Sequence, residues 1–117
     1  MNLLKDRGCN YIRSNNSMKK IRITVKKITI YNDLMKEYEN PILHACALKV
    51  GDSFISIDAQ KPKDFCESAW SVIEPFVKDL ANGVNNFYDG WMKNPNSAMI
   101  SCNDGFRPVS FYIEVIE

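Results

Sequence analysis

The sequence lacks most of the patterns that identify a known chemistry. Only one of its 117 residues is a histidine, His44, and its four cysteines include no Cys-x-x-Cys pair. A glycine-rich phosphate-binding loop, a Gly-x-Ser-x-Gly elbow and a His-Glu-x-x-His helix are all absent. General-base schemes are therefore restricted to His44 and to carboxylates, and the familiar motifs of nucleotide binding, serine hydrolysis and zinc proteolysis are excluded.

The chain also lacks an excess of charge of either sign. Fifteen basic and fourteen acidic residues leave a net charge of +1, so no overall field attracts nucleic acid or an acidic membrane. No stretch approaches the run of about eighteen apolar residues that spans a bilayer, and the N-terminus has no hydrophobic signal region. We therefore predict a cytoplasmic protein, without nucleic acid or membrane as a partner, whose widely spaced cysteines stay reduced.

The composition is that of one folded domain. Apolar residues make up 45% and charged residues 25% of the chain, which is ordinary for a globular protein large enough to form a core without disulfides. Residues 1–17 are rich in Asn and Ser and show no amphipathic period, whereas Met18 opens the pattern of a first strand. We predict a disordered or dispensable extension over 1–17, which carries Cys9, and a single α+β domain over 18–117.

Hydrophobic periodicity predicts a sheet of four or five mostly antiparallel strands. Ile21, Ile23 and Val25 alternate with polar residues, and the apolar phase then slips at Lys26-Lys27, which indicates a β-bulge. The other predicted elements are strands over 54–57, 98–102 and 109–116, a possible fifth strand over 42–48, a turn over 49–52, and a short helix over 32–38 with Asn32 as N-cap.

The strongest helix is predicted to begin after Asp64. This residue would form a capping box with Glu67, and Gly83 would end the helix. Pro75 lies within the helical pattern, so we expect a kink there. The apolar face should pack across one side of the sheet and bury Trp70, so that Trp70→Ala would cost about 3 to 5 kcal/mol.

Cys66 has the most specific chemical argument of the four cysteines. With Asp64 as N-cap, it occupies the second helical position, where free backbone N–H groups and the helix dipole stabilise a thiolate. The same spacing places it on the apolar face beside Trp70 and Ile73, where a thiol is buried and inert. Cys66 is therefore both a candidate catalytic nucleophile and a candidate structural thiol.

A metal site is a second hypothesis. His44 and Cys46 are two residues apart and would point to the same side of a strand, and Cys66 and Cys102 would complete a Cys₃His set for tetrahedral zinc. Structural zinc sites usually contain a closely spaced cysteine pair, which this chain lacks. Zinc remains a candidate cofactor, and no metal ligand is assigned.

The segment from Cys102 to Pro108 combines a thiol with two charged side chains. Asn103-Asp104-Gly105 is typical of a hairpin connection. Asp104 and Arg107 also form a charge pair suited to a pocket rim, where Arg107 would hold a carboxylate or a phosphate. We predict a ligand-binding site made of the side chains of Cys66, Trp70, Cys102, Asp104 and Arg107.

The start of the long predicted helix and the turn that follows Cys102 resemble an uncharacterised family of small bacterial and archaeal proteins of about ninety residues. The resemblance covers residues 18–117 and rests on a Cys-x-x-Ala-Trp helix, here Cys66–Trp70, and a Cys-x-Asp-Gly-x-Arg-Pro-Val turn, here Cys102–Val109. It implies that the core cysteines and the turn belong to a shared pattern. It brings no established activity and no catalytic residue.

Three classes of function are compatible with these observations. The first is a noncatalytic domain that binds a small ligand, a metal or a partner at a cysteine-lined site. The second is a thiol-dependent enzyme or redox protein that uses Cys66. The third is a structural module that forms a homodimer through a strand edge or through the aromatic residues Phe87, Tyr88 and Trp91.

Overall fold

The computed structural model describes residues 18–42 and 47–117. Residues 1–17, His44, Cys46 and most of the possible fifth strand lie outside the described residues. The elements are β1 (Ile21–Ile28), α1 (Asn32–Tyr38), β2 (Ser53–Ser56), α2 (Glu67–Ala81), α3 (Phe87–Gly90), β3 (Ser97–Ser101) and β4 (Val109–Val115). The four strands form one sheet in the order β2-β1-β4-β3, and every neighbouring pair is antiparallel. The predicted α+β fold is confirmed.

The bulge predicted in β1 is present. Val25 pairs with Phe111 and Lys27 pairs with Ser110, so Lys26 is the extra residue between them. Because one added residue reverses the alternation of side chains, Ile28 returns to the core face beyond the bulge. The two central strands, β1 and β4, therefore contribute apolar side chains to the same face along their whole lengths.

The core lies between the sheet and α2, which packs against β3, β4 and β1. Helical spacing places one apolar stripe of α2 on the sheet, and its buried members are Ala69, Ile73, Val77, Leu80 and Ala81. Trp70 stands at the margin of this stripe and is half-buried, with its ring edge-on to Phe65 at 6.2 Å between centroids. Trp70 is therefore less buried than the sequence predicts, and the largest fully buried side chain is that of Phe111.

The start of α2 differs from the prediction, because Cys66 is the N-cap and Glu67 is the first helical residue. Asp64 has a left-handed backbone with φ of 64°, whereas an N-cap residue normally has an extended one. It belongs to a separate turn in which the N–H of Phe65 donates to the carbonyl of Pro62 at 3.3 Å. The predicted capping box of Asp64 and Glu67 is therefore wrong.

The end of α2 agrees with the prediction that Gly83 stops the helix. Gly83 has φ of 91° and follows the C-cap residue Asn82. The N–H groups of Gly83 and Val84 donate to the carbonyls of Leu80 and Asp79, at 3.1 and 2.9 Å, which is a Schellman motif. Pro75 lies inside the single helix, and the kink expected there stays a prediction.

The short helix α1 has the predicted bounds but a different N-cap. Tyr31 holds that position, because its carbonyl accepts the first helical bond from the N–H of Met35 at 3.0 Å. Asn32 is one residue too late and is the first residue of the helix. No residue of α1 is buried.

The three aromatic residues Phe87, Tyr88 and Trp91 differ in their burial. Phe87 and Tyr88 pack against the core beside Phe76, with ring centroids 5.6 and 6.4 Å from that ring. Trp91 is 81% exposed. Within the described ranges, no helix combines the length and the apolar character that crossing a bilayer requires.

Candidate ligand-binding site

The connection from β3 to β4 is a structured hairpin loop. At its base, the N–H of Cys102 donates to the carbonyl of Val109 at 3.0 Å, and the N–H of Val109 donates to the Cys102 sulfur at 3.3 Å. Inside the loop, Oδ1 of Asp104 accepts the N–H groups of Phe106 and Arg107 at 2.8 and 3.1 Å. This is the turn geometry that short Asp side chains favour, and it fixes both charged residues.

The loop is also fastened to the chain that leaves β1. The N–H of Thr29 donates to the carbonyl of Pro108 at 3.0 Å, and the N–H of Tyr31 donates to that of Phe106 at 2.9 Å. These two bonds extend the pairing of β1 with β4 beyond the strand ends. They place the start of α1 beside the hairpin loop and so bring Glu39, just past the end of α1, within reach of Arg107.

Arg107 forms a two-pronged ion pair with Glu39. Nη1 donates to Oε1 at 2.8 Å and Nη2 donates to Oε2 at 2.6 Å. Both side chains are 15% exposed, so the pair is largely removed from water. Asp104 contributes a weaker contact, with its Oδ2 at 3.8 Å from Nε of Arg107.

All three charged groups favour their ionised forms. The hydrogen bond from Arg107, with its charge, holds the pKa of Glu39 below its ordinary value, and the same bond raises the pKa of Arg107. Burial acts to raise the pKa of Asp104, but two backbone N–H bonds and the Arg107 charge together outweigh it, so that pKa is lowered. The cluster therefore carries two negative charges and one positive charge near neutral pH.

A cavity of about 460 Å³ opens between this loop and the start of α2. Its apolar wall consists of Ile42, Leu48, Ala69, Val109 and Phe111. Its polar and sulfur-bearing side chains are Cys66, Ser68, Cys102, Asn103, Asp104 and Arg107. Ligand sites typically have this size and this combination of an apolar wall with a few converging polar groups.

The two thiols of the described chain belong to this cavity. Cys66 and Cys102 are both half-buried and neither is in a disulfide. The Cys102 sulfur accepts the Val109 N–H, whereas the Cys66 side chain makes no capping hydrogen bond at the helix start. The structure places Cys66 at the N-cap and not at the predicted second helical position, and its sulfur accepts no hydrogen bond from the free N–H groups that would stabilise a thiolate there.

The structure thus places four of the five predicted ligand-binding residues around one cavity. Cys66, Cys102, Asp104 and Arg107 line it, and Trp70 does not. Trp70 packs on Phe65 at the edge of the core instead. The metal hypothesis involves His44 and Cys46, which lie outside the described residues. Over 18–42 and 47–117 no three His, Cys, Asp or Glu side chains are grouped so as to hold a metal ion.

Glu39 is the member of the charge cluster that the sequence does not predict. It follows a short helix and is 68 positions from Arg107, so no local pattern joins them. A partly buried guanidinium needs an acidic partner, so Arg107 itself indicates that a carboxylate lies nearby. Glu39 is suited to this role because it follows the helix that the β1–β4 pairing brings to the loop. Identifying it required that pairing, which the alternation of residues in each strand does not specify.

Comparison of the chain with protein-family models, curated proteins and solved structures finds no match. The family resemblance of the helix and turn motifs is therefore still a prediction, and the chemistry of the site follows from its geometry alone.

Proposed function

We propose that the protein is a noncatalytic binding domain that holds a small molecule in the cavity between the start of α2 and the β3–β4 loop. The observation that carries the proposal is the cavity itself, whose volume of about 460 Å³ suits a small organic ligand. Asn103, Asp104 and Arg107 line the loop side of the cavity, and Ala69, Val109 and Phe111 line it from the core, so a bound molecule with one polar end has a preferred orientation.

Part of the cavity wall is held in place by the core and by hydrogen bonds, and this supports the proposed function. Ala69 belongs to α2 and Phe111 to the central strand β4, and both are buried in the core. The β3–β4 loop is held by the internal bonds of Asp104 and by its two bonds to the chain after β1. Binding to preformed walls avoids much of the ordering cost that a flexible site would add.

The exposed position Asn103 allows the cavity to be filled without changing the core. The probe is 8-anilinonaphthalene-1-sulfonate, whose fluorescence rises in apolar surroundings. Asn103 lines the cavity and is exposed, so Asn103→Trp should obstruct it and weaken probe binding. Ser101→Trp is the matched control, since Ser101 is exposed on the neighbouring strand and is not part of the cavity wall.

The expected result is saturable binding to the wild-type protein and to Ser101→Trp, with clearly weaker binding to Asn103→Trp. Near-ultraviolet circular dichroism would verify that both variants keep a native fold. Equal affinities in the two variants would place the probe elsewhere and remove the support for this cavity as a binding site.

Cys66 keeps the thiol-enzyme alternative open, since its side chain faces the same cavity. The rate at which Cys66 reacts with a thiol reagent separates the thiol-enzyme alternative from noncatalytic binding. The homodimer hypothesis is separate from both, and sedimentation over a range of protein concentrations would test it.

A further inference from the structure

The Glu39 carboxylate binds Arg107 in the geometry that the carboxylate of a ligand would adopt. Its two oxygens accept from Nη1 and Nη2 at 2.8 and 2.6 Å, which is the bidentate geometry by which guanidinium groups recognise carboxylates. Arg107 also lines the cavity. One guanidinium therefore lies between an internal carboxylate and a space that admits a small molecule.

The Glu39 side chain has freedom to leave without disrupting the backbone around it. No residue of α1 is buried, and Glu39 is the C-cap of that helix with an extended backbone. The helix is fixed at its start by the bond from Tyr31 to Phe106, and the N–H of Glu39 donates to the carbonyl of Met35 at 3.1 Å. None of these bonds involves the carboxylate, whose hydrogen bonds within 18–42 and 47–117 are those to Arg107. Rotation of the side chain would therefore break that ion pair and leave these backbone bonds intact.

One donor of the Arg107 guanidinium has no hydrogen-bond partner among the described residues even with Glu39 in place. This donor, Nε, is buried. The Oδ2 atom of Asp104 lies 3.8 Å from it, too far for a hydrogen bond. Buried donors in proteins are normally paired, so the observed contact with Glu39 does not complete the site.

We propose that the ligand of this cavity carries a carboxylate on an apolar body, and that this carboxylate displaces Glu39 from Arg107. The inference rests on the proposed function and specifies the class of ligand. Exchange of one carboxylate for another leaves Arg107 with a counter-ion, while the apolar body lies against Leu48, Ala69 and Phe111. Asp104 stays in place because its bonds to the loop backbone are independent of Glu39.

On this account Glu39 is an internal competitor that lowers the apparent affinity for the ligand. When Arg107 is free of Glu39 in only a fraction of the molecules, the apparent affinity for the ligand is the intrinsic affinity multiplied by that fraction. Removing the charge of Glu39 should therefore strengthen binding of a carboxylate and leave binding of an uncharged analogue unchanged. This difference separates competition at Arg107 from a general change in the cavity.

The test is calorimetric titration of the full chain with octanoate and with octanol, which share an apolar tail and differ in the head group. Glu39→Gln removes the competing charge and keeps the side-chain size. Glu37→Gln is the matched control, since it makes the same change at an exposed position of α1. We expect Glu39→Gln to bind octanoate about tenfold more tightly than the wild-type protein and Glu37→Gln to bind it as the wild type does.

Octanol should bind all three proteins alike, and adding Arg107→Lys to Glu39→Gln should abolish the gain for octanoate. Should Glu39→Gln fail to fold, Glu39→Asp is the second variant, because its shorter side chain weakens the bidentate contact, and a smaller gain is expected. An octanoate affinity unchanged by Glu39→Gln, or a gain shared by octanol, would overturn the inference.

The outcomes also separate this inference from the proposed function. If Asn103→Trp weakens binding of the sulfonate probe while Glu39→Gln brings no gain for octanoate, the cavity binds ligands but Glu39 does not compete for Arg107. If Asn103→Trp and Ser101→Trp bind the probe equally, the proposed function fails, and the inference that rests on it fails as well.

Discussion

Replacement of Phe111 by alanine should be far more damaging than replacement of Trp70, although tryptophan is the larger residue. Phe111 is fully buried on the central strand β4, opposite Val25 and Ile100, and its ring centroid lies 5.5 Å from that of Phe65. Loss of the ring removes about 2 kcal/mol of transfer free energy. A void on the order of 100 Å³ adds about 2 kcal/mol more.

We therefore expect Phe111→Ala to lower the free energy of unfolding by about 4 kcal/mol, which for a chain of this size lowers Tm by about 15 °C. Trp70→Ala should lower the free energy of unfolding by about 1 to 2 kcal/mol, because its side chain is half-buried and leaves no closed void. The value is below the estimate from the sequence, which assumed full burial.

The assay for both variants is urea unfolding followed by far-ultraviolet circular dichroism, a signal that does not depend on the Trp70 indole. An unchanged dependence of the free energy on urea would show that the two variants unfold as the wild type does. If Phe111→Ala is too unstable to purify, Phe111→Leu should still fold with a loss of about 1 kcal/mol. An equal or larger loss for Trp70→Ala would refute the assignment of the core.

Two further predictions concern the site. Glu39 and Asp104 both have pKa values below their ordinary values of 4.5 and 3.8, so the stability they contribute is complete above about pH 5 and is lost as the pH falls through the lowered native values. As the pH is lowered from neutral to acid, the urea midpoint of unfolding should decrease less for Glu39→Gln than for the wild type. Equal decreases in the two proteins would contradict this. In a variant with the other three cysteines replaced by serine, Cys66 should react with a thiol reagent no faster than free cysteine near neutral pH. A rate about tenfold higher would favour the thiol-enzyme alternative.

The sequence predicts much of this fold because its strands and its long helix have clear periodicity. Alternation in β1 located both the strand and its bulge, since a register shift must reverse the apolar phase. The bounds of α1 and the end of α2 at Gly83 also agree with the structure. The start of α2 differs from the prediction because Asp64 matches the capping pattern in sequence but has a left-handed backbone, which composition alone does not specify.

The charge cluster of the site is predictable from the sequence only where its residues are close in the chain. Asp104 and Arg107 belong to one loop, and their contact at 3.8 Å follows from a spacing of three residues. The principal partner of Arg107 is Glu39, which depends on long-range strand pairing and on two backbone bonds beyond the strand ends. The helical pattern places Trp70 on the same face as Cys66, but in the structure Trp70 packs on Phe65 and does not line the cavity.

The proposed function depends on ligand binding in the cavity beside Cys66 and Cys102. The most direct measurement is the affinity of 8-anilinonaphthalene-1-sulfonate for Asn103→Trp relative to Ser101→Trp, taken by fluorescence titration of the folded proteins. Because the indole at position 103 would occupy part of a cavity of about 460 Å³, we expect Asn103→Trp to bind the probe more weakly by about tenfold or more. Affinities that agree within about twofold would contradict it.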